Sequence, residues 1–280
     1  MELPEFWPHR EHSQFVTVGG LRWHVQIMGK GPVILMLHGT GASAHSWADL
    51  AEQLKHHYTV VIPDLPGQGF TDSPPPGQAT LEGFAERLTS LMAVLGVHPK
   101  LIVGHSAGAA IATHMALNAQ ASPAAVLAIN GAFLPFGAAA APAFNRIARW
   151  MSRSKLLAYV TAAHGLFELP VRNMLLETGS QPSEKMLRCY QQLLASPRHV
   201  LGTLAMMAGW NLSNQRERLP GLRIPLHLIT CANDRTVDPW KAERLSEFIH
   251  MATLYRIPDL GHLGHEENPG PFNDIITAII

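Results

Sequence analysis

Short, wholly apolar runs alternate along the chain with segments whose apolar residues recur every three or four positions. Val33-Ile34-Leu35-Met36-Leu37, Thr59-Val60-Val61-Ile62, Leu101-Ile102-Val103 and Ala125-Val126-Leu127-Ala128-Ile129 are continuous apolar stretches. Such stretches predict strands of a parallel sheet buried on both faces. Phe15 to Val18 and Leu21 to Ile27 flank Gly19-Gly20 and predict a hairpin. Pro225 to Thr230 and Thr253 to Ile257 supply two later strands. Between the strands, Leu81, Phe84, Leu88, Leu91, Met92 and Leu95 fall at helical spacing, with Thr80 placed to cap the start and Gly96 to end it. Ser46 to Leu54 and the small-residue stretch Ala107 to Ala119 also read as helices. Strands alternating with helices define an α/β fold with a mostly parallel sheet.

One section breaks the alternation. From about Phe133 to Leu219 there are helical patterns, over Phe144 to Ala163, Ser183 to Leu194 and His199 to Gly209, and no convincing strand. The simplest organisation is a core of residues 1–132 and 220–280 with an all-helical insertion, 133–219, between two sheet strands. The insertion carries Trp150, Met151, Met174, Met186, Met206, Met207 and Trp210. These side chains suit either an adaptable wall for a bulky apolar ligand or plain packing of the insertion onto the core.

Composition narrows the function classes. Apolar residues make up 47% of the 280 and charged residues 15%, which excludes a disordered chain. Lys plus Arg and Asp plus Glu are 21 each, and no basic block occurs, which argues against nucleic acid as a partner. Two cysteines, Cys189 and Cys231, exclude a disulfide framework and point to a reducing, cytoplasmic setting. The first ten residues lack the apolar stretch of a signal peptide. Leu101 to Asn145 contains no Asp, Glu, Lys or Arg, but its glycines and prolines break every window long enough to span a bilayer. Burial explains that stretch, and no transmembrane segment is expected.

Chemistry concentrates at Gly104-His105-Ser106-Ala107-Gly108. The motif follows a strand and precedes a helix, the setting of a nucleophile elbow. A sharp strand-to-helix turn projects Ser106 at the sheet's carboxyl edge, and the glycines allow close backbone approach. The helix N-terminus behind Ser106 favours developing negative charge. A serine hydroxyl also needs a base to take its proton. Two loops past strand ends offer one: Asn233-Asp234-Arg235-Thr236-Val237-Asp238 and Asp259-Leu260-Gly261-His262-Leu263-Gly264-His265-Glu266. His262 is preferred as base, with His265 its rival. Asp234 is preferred as acid over Asp238, which reads as a helix start before Pro239. The position after the preceding strand holds Asn130, which has no charge. The glycine-rich loop His38-Gly39-Thr40-Gly41 follows the third strand. There the N–H groups of Thr40 and Ala107 could bind an oxyanion, with the Thr40 hydroxyl as a conceivable third donor.

Sixteen histidines stand out in this chain. His105 reads as a packing neighbour of the nucleophile, His24, His114 and His227 as core or surface residues, and His56-His57 as a solvated helix end. His262-x-x-His265-Glu266-Glu267 resembles a metal cluster but lacks a metalloprotease spacing and lies on a loop. Neither a metal nor a cofactor is expected.

Together these motifs resemble the α/β-hydrolase superfamily over nearly the whole chain. The resemblance implies an eight-stranded sheet, a helical cap between the sixth and seventh strands, and a triad of Ser106, Asp234 and His262. A serine nucleophile sets the chain apart from the dehalogenase and epoxide-hydrolase branches. A narrower likeness rests on four segments. Trp7-Pro8-His9-Arg10-Glu11, Gly20 to Gln26, His38 to Trp47 and Pro63 to Thr71 are similar to the magnesium-chelatase accessory proteins of bacteriochlorophyll synthesis, the BchO type. It implies a role near magnesium-tetrapyrrole chemistry, association with magnesium chelatase, and contact with the photosynthetic membrane as an open question. Thr40-Gly41 departs from the superfamily, where many members have a bulky residue and then proline. Three functions remain: hydrolysis of an ester or similar acyl bond of a bulky apolar small molecule such as a tetrapyrrole ester, carriage of a magnesium porphyrin, or carbon–carbon bond hydrolysis.

Overall fold

The computed structural model describes residues 2–133, 155–212 and 215–280. Its centre is an eight-stranded sheet in the order β1-β2-β4-β3-β5-β6-β7-β8. The strands are β1 Ser13–Val18, β2 Leu21–Met28, β3 Val33–Leu37, β4 Thr59–Pro63, β5 Leu101–His105, β6 Ala125–Ile129, β7 Leu226–Cys231 and β8 Ala252–Ile257. β2 pairs antiparallel with both β1 and β4, and the pairs from β4 through β3 to β8 are parallel.

Helices cover both faces. α2 Leu81–Leu95 and α3 Ala107–Leu117 lie on one side, α1 Ala48–Leu54 and the C-terminal helix Gly270–Ile279 on the other. Alternation within β3 serves both layers: Leu35 and Leu37 join the α2/α3 core, and Ile34 and Met36 join the opposite one. α2 is stopped as its sequence predicts. The Thr80 hydroxyl accepts from Gly83 N, and Gly96 takes the left-handed conformation at φ 64°. Ser46 to Leu54 divides into a 3₁₀ turn, Ala44–Trp47, followed by α1.

Between β6 and β7 the described residues form α4 Lys155–Gly165, α5 Glu168–Glu177, α6 Glu184–Leu194, α7 Pro197–Gly209 and the single turn α8 Gln215–Arg218. The helix expected over Phe144 to Ala163 is seen from Lys155 onward; its earlier part, with Trp150 and Met151, lies outside the described residues. α5 was not anticipated. Pro170 interrupts its pattern, but it sits in the first turn, where a missing N–H breaks no helical bond. Ser183 and Ser196 cap α6 and α7 by accepting from Met186 N and His199 N. Among the described residues no helix is long and apolar enough to cross a membrane. Cys189 and Cys231 are free and buried.

Candidate active site

The elbow after β5 is backbone-strained. Ser106 has φ 50° and ψ −113°, a region that a residue with a Cβ occupies at about 1–3 kcal/mol. Two glycines make room for it. A Cβ on Gly104 would collide with the backbone of Gly108, and one on Gly108 with the carbonyls of Leu37 and His38. The turn is fixed by Ser106 N donating to Ile129 O at 3.0 Å and by Ala132 N donating to Ser106 O at 3.0 Å.

His262 and Asp234 meet past the ends of β8 and β7. His262 Nδ1 donates to Asp234 Oδ2 at 2.8 Å, and both residues are buried. A carboxylate only accepts, so this bond selects the Nδ1–H tautomer and leaves Nε2 with its lone pair. Oδ1 of Asp234 accepts from Thr236 N at 2.7 Å and Val237 N at 2.9 Å, which fixes the carboxylate plane. Asp238 is elsewhere, capping the helix α9 Pro239–Ser246 through Trp240 N.

His265 is turned away. It is fully buried, its Nε2 meets Ser46 Oγ at 3.0 Å, and its ring lies between Trp47 and His105. Burial, then the neighbouring His262, push its pKa down to about 3. Glu266 instead accepts from Tyr190 Oη, and Glu267 from Gly261 N and Gln181 N. The side chains of this acidic, histidine-bearing run diverge, and among the described residues no group of three or more is arranged to hold a metal.

Two residues brace the His262 loop beyond what the spacing of motifs revealed. His105 Nε2 donates to His262 O at 2.9 Å, and burial, then His265 and His262, hold this imidazole neutral well below its ordinary pKa. Asn130 Nδ2 donates to the same carbonyl at 2.9 Å, and its Oδ1 accepts from Cys231 N. A neutral amide at that position ties β6 to both β7 and the His262 loop, which a carboxylate lacking N–H groups cannot do.

The loop after β3 is set by buried polar groups. His38 Nδ1 donates to Gly39 O at 2.8 Å, and its Nε2 accepts from Leu65 N at 2.9 Å. Asp64, fully buried, accepts from His24 Nδ1, Ala44 N and Phe70 N at 2.7–2.8 Å. Burial raises its pKa, but His24 and these hydrogen bonds outweigh that and leave it below the usual carboxylate value. Gly41 N donates to Gln68 Oε1. Neither Thr40 N nor Ala107 N has an acceptor among the described residues, and both residues line the cavity beside Ser106. The Thr40 hydroxyl, the conceivable third donor, meets Met206 Sδ at 3.6 Å.

A cavity of about 910 Å³ joins these groups. Gly39, Thr40, His105, Ser106, Ala107 and His262 form its polar end. Met174, Leu175, Leu194, Met207, Trp210 and Leu212 from the insertion make an apolar wall. Met186 and Met206 are instead buried packing residues. The insertion methionines therefore divide between lining the cavity and packing the protein interior. Glu82 is the one charged residue among the described lining.

A strand-order inversion at β4-β3, a strained serine between β5 and α3, and a histidine–aspartate pair past β8 and β7 define a class. The chain belongs to the α/β-hydrolase fold family, whose sequence pattern matches residues 32–269. Between β6 and β7 the described residues are helical, α4 to α8. Over 266 residues the chain is 37% identical to the magnesium-chelatase 30 kDa subunit of Rhodobacter capsulatus, covering 94% of this chain and 93% of that one. It is 30% identical over 214 residues to a pimeloyl-[acyl-carrier protein] methyl ester esterase of Vibrio vulnificus, 72% of this chain and 76% of that one. A thermophilic esterase from Thermogutta terrifontis has the same fold, with a TM-score of 0.75 at 23% identity, over 95% of this chain and 97% of that one. The likeness to the chelatase subunit bears out the narrower resemblance read from the four N-terminal segments.

Proposed function

We propose that the chain is a serine hydrolase that cleaves an ester or similar acyl bond of a bulky apolar small molecule. Ser106 is the nucleophile, His262 the general base and Asp234 the acid that orients it. The observation that carries this reading is the 2.8 Å bond from His262 Nδ1 to the buried Asp234, with His262 and Ser106 both lining one cavity. Ser106 Oγ attacks the acyl carbon and its proton passes to His262 Nε2. The oxyanion is held by Thr40 N and Ala107 N, whose donors are otherwise unused. As the carbon–oxygen bond breaks, His262 returns the proton to the departing alkoxide. Water then attacks the acyl-enzyme by the reverse proton path and releases the acid. The scheme needs no cofactor.

The apolar wall and the lack of a described cationic lining residue favour an acyl group without a free carboxylate or phosphate. The relatives include a magnesium-chelatase subunit and a methyl-ester esterase. We therefore assign the substrate to the tetrapyrrole esters of bacteriochlorophyll synthesis, handled in the cytoplasm beside the chelatase. Residues 1–132 and 220–280 form the catalytic core, and 133–219 the cap. Of the described histidines only His105 and His262 line the cavity, and His105 has its Nε2 tied to a carbonyl and its Nδ1 against Gly39, which leaves His262 Nε2 as the described ring nitrogen free to act there.

The test is turnover of a matched panel: the methyl ester of a magnesium chlorin, a neutral p-nitrophenyl ester, and a vinylogous diketone. Ester turnover that falls by about 10³-fold or more in Asp234→Asn supports the reading. Turnover of the diketone alone moves the assignment to carbon–carbon hydrolysis. Binding of the chlorin without turnover moves it to carriage.

A further inference from the structure

The acid and the base both lie off the sheet. β7 ends at Cys231 and β8 at Ile257, so Asp234 stands three residues beyond a strand and His262 five. Loops of that length need another framework if a side chain is to be held within a few tenths of an ångström. The corner between α5 and α6, residues 178–181, supplies one. The Thr178 carbonyl accepts from Arg235 N at 3.1 Å and from His262 N at 3.3 Å, touching both loops at once. Ser180, fully buried, accepts from Leu263 N through its hydroxyl at 2.8 Å. Glu267 closes the other side: its Oε1 accepts from Gly261 N and its Oε2 from Gln181 N, both at 2.9 Å. Backbones are packed as tightly as atoms allow. A Cβ on Gly179, which has φ +86°, would collide with Asn233 O, and one on Gly261 with the backbone of Gly179 and Ser180. Three consecutive residues of the insertion, Thr178 to Ser180, thus contact the residue after the acid, the base itself, and both neighbours of the base, and Gln181 joins through Glu267.

We propose that this corner is a positioning element for the acid and the base, with Ser180 and Glu267 acting through Leu263 and Gly261 to hold His262 against Asp234. The proposal rests on the serine-hydrolase reading. It makes the insertion part of the catalytic framework as well as a wall of the cavity, and any opening of the cap must bend elsewhere than at residues 178–181.

Reaction with a fluorophosphonate separates positioning from mere stability. The end-point measures the fraction of molecules with an intact site, and the second-order rate measures how well His262 activates Ser106 in those molecules. Ser180→Ala removes a buried acceptor, and Glu267→Ala removes a half-buried clamp whose loss the fold tolerates more readily. Misplacement of a catalytic group by about 1 Å costs about 10²-fold, so a partial slackening should lower the labelling rate about 10-fold in each variant. The end-point should stay full. Arg172→Ala, on the exposed side of α5 in ion pairs with Glu168 and Glu184, should label at the parental rate. Parental rates in both Ser180→Ala and Glu267→Ala would overturn the proposal, as would a reduced end-point with an unchanged rate, which marks a purely structural role. A folded parent that does not label at all would instead overturn the hydrolase reading, and this proposal with it.

Discussion

Replacing Glu266 with glutamine should remove one strong pH dependence of the protein's stability. Glu266 is 9% exposed and accepts from Tyr190 Oη at 2.8 Å across the contact between α6 and the turn after His262. Burial is the main cause that pushes its pKa up, to about 8, with Asp49 and Glu267 adding to it; hydrogen bonds from Tyr190 and Ser46 pull the other way. In the unfolded chain its value is near 4.5. The folded state therefore binds this proton more tightly than the unfolded state does. Its contribution to stability is fully present below about 4.5 and is lost as pH rises through about 8. The difference of about 3.5 units corresponds to about 5 kcal/mol at most, at about 1.36 kcal/mol per unit. Buried neighbours do not blur the effect. His45 and His265 are pushed down to about 3 and Cys189 up to about 12, so none changes charge between pH 5 and 9. Glutamine mimics the neutral acid and keeps an acceptor for Tyr190. The assay is urea unfolding of parent and Glu266→Gln at pH 5, 7 and 9, taking the difference at each pH so that other titrations cancel. The variant should match the parent within about 1 kcal/mol at pH 5 and exceed it by about 2–5 kcal/mol at pH 9. A difference that stays flat within about 1 kcal/mol over that range would refute the reasoning.

Other perturbations probe the same framework. Asp64→Ala strands His24 Nδ1, Ala44 N and Phe70 N in the core, and urea unfolding should register a loss of about 3–5 kcal/mol. Gly108→Ala drives a Cβ into the Leu37 and His38 carbonyls, so the elbow cannot form; limited proteolysis should reveal loss of the native fold, while Gly96→Ala in the open turn after α2 should cost about 1 kcal/mol. Trp210→Ala and Met207→Ala strip the apolar wall and should raise KM for a bulky ester about 10-fold. Their fluorophosphonate labelling should still reach a full end-point, because the bond from His262 to Asp234 is made without either residue.

Local features of this fold were readable and long-range ones were not. The elbow was legible because Gly104, Ser106 and Gly108 meet a steric requirement confined to five residues. The strands were legible because burial on both faces leaves an unbroken apolar run, as in β3 and β5. His262 and His265 are three residues apart in loops of similar composition, and only the fold pairs one with Asp234 and sends the other behind Trp47. Asn130 looked like a missing acid, yet its two-sided amide stitches three segments together. The abundance of histidine also gains an explanation. His24, His38, His45 and His199 are buried, each with a ring nitrogen on a specific polar partner. His24, His38 and His199 satisfy backbone and carboxylate groups far away in sequence, which no local pattern encodes, while His45 meets the Ser43 hydroxyl two residues away. The corner at residues 178–181 was invisible for the same reason, since its partners lie some fifty to eighty positions further along the chain.

The central claim is that His262, held by Asp234, activates Ser106. Intact-protein mass measured after mixing with a fluorophosphonate addresses it without knowledge of the natural substrate. The account predicts one phosphonyl adduct on the parent, located at Ser106 by peptide mapping, with fluoride released. It predicts none on Ser106→Ala and none on His262→Ala over the same time. A folded parent that stays unmodified, or an adduct that persists in Ser106→Ala, would contradict it.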